Sequence, residues 1–201
     1  MDITGKNIQI ANDIYEHLPR WKFANEVLSN YFNKNRANAS KEVVLIKVVL
    51  IDSLYYTNLK DTISMTEHIF NIKSLDIDLN NGTLNILEEI SNWNNKKVIS
   101  FASKFCHFHN RQKYPLFDKY VKIALKKLIG CENKDFENYN NFFEKINSFK
   151  TIYGLTQISF EDIDKYLWLY GQKEQIRQGK RDINKEILSF YDHNPDLFNS
   201  L

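Results

Sequence analysis

Residues 97–128, KVISFASKFCHFHNRQKYPLFDKYVKIALKKL, decide how the rest of the chain is read. Val98, Phe101, Ala102, Phe105 and Phe108 recur every three or four positions, the period of one buried helix face. Lys97, Ser100, Lys104 and His107 fall on the other side of that helix. HNRQKYP then breaks the pattern. Phe117, Tyr120, Val121, Ala124, Leu125 and Leu128 begin a second stripe, with Lys119, Lys122 and Lys126 as a basic stripe on the same helix. Asp118 stands at its head. Between positions 96 and 127 nine Lys or Arg face this one acid, a net +8 in a chain of net +2, so the remainder sums to −6. Such a local excess points to an anionic partner.

Working outward, helical stripes continue in both directions. Ile8, Ile10, Ala11 and Ile14 form one after a loose tail at 1–6, and Trp21 to Phe32 form the next. Ser40 caps a long apolar segment, EVVLIKVVLIDSLYY, in which Lys47 and Asp52 lie off the most apolar face. YYTNLKD interrupts it, and 62–72 resumes as a helix. LDIDLNNG alternates like a strand but has no partner strand, which predicts an extended loop. Residues 84–93 are helical and NNKK is a turn. Residues 135–150 are helical, and SFEDIDKYLWLYG is a helix capped by Ser159 and stopped at Gly171. Trp168 and Tyr170 belong to its apolar side. GQKEQIRQGKRD reads as a polar connector before a terminal helix over 183–191. The result is an all-α fold of about ten helices in one domain, 1–201, built either on one core or as two small lobes sharing one, the cleft then falling between 40–95 and 96–201.

Composition narrows the classes further. Six Gly and three Pro leave little material for tight turns. The two cysteines lie in unrelated contexts and no apolar run approaches a membrane span, so the expectation is a cytoplasmic protein with free thiols. Cys106, His107 and His109 are poorly spaced for zinc, and no second ligand pair occurs, so neither metal nor cofactor is expected.

Two residues carry candidate chemistry. Asp118 before an amphipathic helix is an N-cap, or a carboxylate aimed at a cleft, and the two roles are compatible. Lys104 is a solvated charge, or an amine in a basic, partly dry site able to form a Schiff base. Tyr55, Tyr56, Thr57 and Asn58 at the helix break are packing and turn residues, or a surface wedge.

SFASKFCHFHNRQKYPLFDKYVKIAL resembles the catalytic segment of the helix-hairpin-helix DNA glycosylases, the endonuclease III and oxoguanine glycosylase superfamily. Lys104 matches the position of the lysine of bifunctional members. PLFDKYV matches a pattern like P-V-D-x-H-V with one extra residue, placing Asp118 at the catalytic aspartate. VVLIDSLYYTNLKDTISMTEHI resembles the helix, break and helix that carry the DNA-intercalating residue. The segments cover about a fifth of the chain. The superfamily's glycine-rich hairpin, a pattern like L-P-G-V-G, has no counterpart in NNKKVISFA, nor is its four-cysteine cluster present. The gap between Lys104 and Asp118 is also shorter than the pattern. The resemblance implies a two-lobed globule that binds double-stranded DNA as a monomer and flips a damaged or modified base from the stack. It assigns catalysis to Lys104 and Asp118. The backbone would be held by Lys96, Lys97, Arg111, Lys113, Lys119, Lys122 and Lys126. Tyr55, Tyr56, Asn58, Ser100 and His107 would form the wedge or base pocket. The other expectations are a non-catalytic nucleic-acid-binding module of the same fold, and an all-α domain that meets an acidic protein.

Overall fold

A computed structural model describes residues 3–181 and 183–201. Within them the chain is all-α: twelve α-helices, one 3-10 turn and a two-residue β-hairpin. Two compact units emerge, Met1–Phe23 with Asp118–Leu201, and Ala24–Phe117. These do not coincide with lobes at 40–95 and 96–201, because 96–117 packs with the elements before it.

The Ala24–Phe117 unit contains most of α2 (Pro19–Lys34), then α3 (Lys41–Tyr55), α4 (Thr62–Phe70), α5 (Leu75–Asn81), α6 (Leu84–Ser91) and α7 (Ile99–His109). Ser40 caps α3 by accepting from Val43 N, and Asp61 caps α4 by accepting from Ser64 N at 2.9 Å. Each such cap is worth about 1 kcal/mol. Between α6 and α7 lies the hairpin of β1 (Asn92–Trp93) and β2 (Lys96–Lys97). Its central residues Asn94 and Asn95 both take positive φ, 48° and 57°, which a two-residue primed turn requires. Trp93 Nε1 and Asn94 Nδ2 donate to Ser64 Oγ, tying this hairpin to α4.

LDIDLNN is helix α5 rather than an extended loop. Leu75 and Leu79, one turn apart, are buried, while the intervening Ile77 is 66% exposed. The alternation therefore reflected one exposed isoleucine on a helix. A second correction concerns α7. Its polar face is solvated only at its start, where Ser100 is exposed; further along, the helix packs on α6 and α3 and the 110–117 segment folds back over it. Lys104 and His107 are consequently buried. Lys47 is likewise fully buried in α3.

The other unit contains α1 (Gly5–Glu16), the start of α2, α8 (Lys119–Ile129), α9 (Tyr139–Ile152), α10 (Phe160–Arg177), α11 (Lys185–His193) and α12 (Pro195–Asn199). Of the expected tail, Met1 and Asp2 lie outside the described residues, Ile3 is buried, and α1 begins at Gly5. Helix α10 lies between α1 and α8 and runs six residues beyond Gly171 to Arg177. The segment read as a polar connector therefore continues the helix, and Gln172 to Ile176 are buried; Asp182 lies outside the described residues. Gly171 is needed for proximity rather than termination. A Cβ built there would lie 2.0 Å from the backbone oxygen of Tyr120 in α8. Trp168 stacks on Trp21 with centroids 4.9 Å apart, and Tyr170 is buried. Glu186 of α11 accepts from the N–H groups of Arg20 and Trp21, at 2.8 and 3.1 Å, capping α2 from a distance.

Candidate functional site

Lys104 is 2% exposed. Its Nζ donates to Ser100 O at 3.1 Å, Ser100 Oγ at 3.0 Å and Phe117 O at 3.3 Å. It also lies 5.4 Å from the centroid of the Tyr55 ring. Ser103 Oγ accepts from Phe117 N, so one helical turn of α7 holds both polar atoms of the Phe117 backbone. Phe117 is the residue immediately before Asp118. Asp118 accepts from Tyr120 N at 2.7 Å and caps α8. His107 is buried with Nδ1 2.8 Å from Tyr114 O, and burial lowers its pKa to about 3, helped by the Arg111 charge. It therefore remains neutral at pH 7. That removes it from any solvated face, and its backbone partner makes it a fastener of the 110–114 turn.

The wedge candidates separate by exposure. Tyr55 is half-buried, with its hydroxyl donating to Asn25 Oδ1 at 2.7 Å. Tyr56 is 78% exposed, with φ of 50° at the end of α3. Asp52 Oδ1 secures the turn beneath it, accepting from Thr57 Oγ1 at 2.6 Å and Leu59 N at 2.9 Å. Asn58 also takes positive φ, and its amide donates to Tyr56 O. A large aromatic is thus held outward on a pinned turn, with backbone strain stored beside it.

The basic residues fall in several places. Lys96 and Lys97 are exposed on β2, where Lys97 approaches Glu88 at 3.9 Å. Lys113 is exposed, with its side-chain carbons against Gly82: a Cβ there would meet Lys113 Cγ at 2.6 Å. Arg111 stacks on the Phe108 ring at 5.0 Å and donates to Ser29 Oγ. Lys119, Lys122 and Lys126 are brought together. They line a cavity of about 390 Å³, with Lys180, Asn133, Phe136 and Gln175 completing its wall. Burial lowers the pKa of Lys122, Asp118 opposes that shift, and Lys126 adds to it. Lys180 was not legible as a member of this cluster, since it lies inside the stretch GQKEQIRQGKRD that reads as a polar connector.

A second constellation was missed by the sequence reading. Lys47 Nζ donates to Asn38 Oδ1 at 2.9 Å and lies 3.3 Å from His109 Nε2 and 3.5 Å from Arg36 O. Burial lowers its pKa to about 8, with Asp76 opposing. Asp76 accepts from Asn38 Nδ2 at 2.5 Å and from Asn38 N at 3.1 Å. The pKa of His109 is pushed well below the usual value by burial and by the charges of Lys47 and Arg36. The only available signal was a lone lysine inside an apolar run.

Cys106 and Cys131 are unbridged and buried, and burial pushes both thiols up. Among the described residues no three His, Cys, Asp or Glu side chains converge as a metal-ligand set. No helix of these residues is long and apolar enough to cross a membrane.

The family model described as HI_0787_N, N-terminal domain, matches residues 7–113, more than half of the chain. The chain belongs to this HI_0787_N family. The family segment contains Lys104, the Tyr56 turn and the Lys47–His109 pair, and ends before Asp118. A protein of Haemophilus influenzae, named only as an uncharacterized protein, is 30% identical over 142 residues, 66% of this chain and 68% of the relative. No solved structure matches.

Proposed function

We propose that this HI_0787_N-family protein is a DNA glycosylase with abasic-site lyase activity, acting in the cytoplasm on a damaged or modified base. The observation that carries the reading is Lys104. It is a buried amine on α7, bonded to the carbonyl of the residue that leads into Asp118. A sheltered amine and an acid at a helix start match the two roles of the resembling superfamily. The outward Tyr56 is suited to fill the gap left by a flipped base. The lysine-lined cavity and the exposed Lys96 and Lys97 supply cationic contacts for a phosphate backbone.

In this reading Lys104 sheds a proton, releases Phe117 O and attacks C1′ of the flipped nucleotide. A C–N bond forms, the glycosidic bond breaks, and the base leaves with a proton. Asp118 stabilises the cationic sugar as that bond breaks. Ring opening gives a protonated Schiff base; loss of the C2′ proton to water then forms a C2′–C3′ double bond as the C3′–O bond breaks and the 3′ phosphate departs.

Trapping with borohydride on DNA carrying an abasic site tests this. The expected adduct is lost in Lys104→Ala and retained in Lys113→Ala. Absence of an adduct, with base release that depends on Asp118, reduces the reading to hydrolysis without lyase chemistry. One observation favours a second reading, a nucleic-acid-binding module without catalysis: the three acceptors around Lys104 Nζ are the surroundings of a structural cation. That reading gives salt-dependent DNA binding with neither adduct nor base release.

A further inference from the structure

The Lys47–His109 pair is not used by the glycosylase reading. It stands behind a polar cleft of about 490 Å³ within the Ala24–Phe117 unit. Arg36, just past the end of α2, and Arg111, just past the end of α7, both line this cleft. His109 lines it as well, with Asn33 and Gln112 beside it. No carboxylate is among the described lining residues. Arg36 is exposed, and its guanidinium meets only the amide oxygen of Asn80, at 3.5 Å, among the described residues. His109 is 8% exposed and its Nδ1 has no hydrogen-bond partner among the described residues. Nε2 faces the buried Lys47 ammonium, which fixes the neutral ring with its proton on Nδ1. The hydrogen-bonded series Asp76, Asn38, Lys47 and His109 holds that ring in place from behind.

We propose that this cleft binds a phosphate group, with Arg36 and Arg111 as cationic arms and His109 Nδ1–H as the donor at its floor. Two guanidinium groups from separate segments, a ring N–H and side-chain amides present donors from several directions. That suits the oxygens of a tetrahedral phosphate better than a planar carboxylate, which a single arginine can satisfy. The volume lies within the range of small-molecule sites. The phosphate could belong to a free phosphomonoester or to a nucleic-acid strand, and the chemistry of capture is the same.

The test follows the His109 ring signals by NMR in the full chain, with inorganic phosphate, adenosine monophosphate and a short single-stranded DNA as probes. A saturable shift is expected with at least one probe and not with chloride at equal ionic strength. Affinity should fall at least tenfold in Arg36→Gln and in Arg111→Gln. Arg36 is exposed, so its variant is expected to remain folded, and Lys104→Ala should retain the response whatever the outcome of the trapping experiment. A response to phosphate or the mononucleotide identifies a small phosphomonoester. A response to the oligonucleotide alone assigns the site to a strand phosphate. The proposal is overturned if no probe moves His109 at millimolar concentration, or if both arginine variants respond like the parent protein.

Discussion

Gly171→Ala sets two known effects against each other. In an exposed helix the change would stabilise by about 1 kcal/mol, since alanine is the better helix former. Here the new Cβ would lie 2.0 Å from Tyr120 O, 2.6 Å from its carbonyl carbon and 2.9 Å from its Cα. Carbon and oxygen approach no closer than about 3.3 Å even in favourable contacts. Helices α8 and α10 would therefore have to separate by about 1.3 Å along that direction, if the shift relieves the clash alone. The obstacle is helix backbone, not the end of a flexible side chain, so the cost belongs at the upper end of overpacking, about 3 kcal/mol. The net expectation is a loss of about 2 kcal/mol, or about 4–8 °C in Tm for a chain of this size. Urea unfolding followed by tryptophan fluorescence measures it. Gly5→Ala is the control, because nothing lies within 4 Å of its Cβ position. A Gly171→Ala protein as stable as the parent, with Gly5→Ala also unchanged, would refute the close approach of α8 and α10.

Stability should also respond to pH through Lys47. Its folded pKa is about 8, against 10.5 for the free side chain, so between these values the unfolded chain binds the extra proton. Stability therefore rises as pH increases from 8 toward 10.5, and the burial cost is fully present below 8. Lys173, also near 8 through burial and Arg177, acts in the same direction. Lys47→Met should flatten part of the rise between pH 7.5 and 9.5 in urea midpoints; an unchanged slope would contradict the assignment. In the hairpin, Asn95→Val should cost roughly 1–2 kcal/mol, because a β-branched residue resists left-handed backbone, while Asn95→Gly should be tolerated. At Asp118, Ser should preserve the cap and Ala should lose about 1 kcal/mol by thermal unfolding. If base release is abolished equally in both, the carboxylate acts in chemistry as well as in capping.

The all-α class was legible because the apolar stripes repeat every three or four residues through most of the chain. The caps were legible too: Ser40, Asp118 and Ser159 each stand before a stripe and accept from the first turn. What the pattern hid has physical causes. Leu75, Ile77 and Leu79 look like a strand when every apolar residue is presumed buried. Gly171 looks like a stop when the neighbouring helix that requires it is out of view. Lys47, Lys104 and His107 look solvated because their partners, from Asn38 and His109 to Phe117 and Tyr114, lie elsewhere in sequence. Of the candidate site, Lys104 and Asp118 stand out in the sequence by residue type and by their place on either side of a helix break, and their catalytic roles rest on the resemblance alone. The arginine-lined cleft depends on a tertiary meeting of α2 and α7 that no local motif announces.

The two buried cysteines have a practical consequence. Cys106 belongs to the Ala24–Phe117 unit and Cys131 to the other, and burial keeps both as slow-reacting thiols. Thiolate and reagent meet only when the surrounding structure opens. Each unit thus carries its own internal clock. The relative alkylation rates of the two thiols in mild denaturant, read by mass spectrometry, report whether the halves of the chain open together or one before the other.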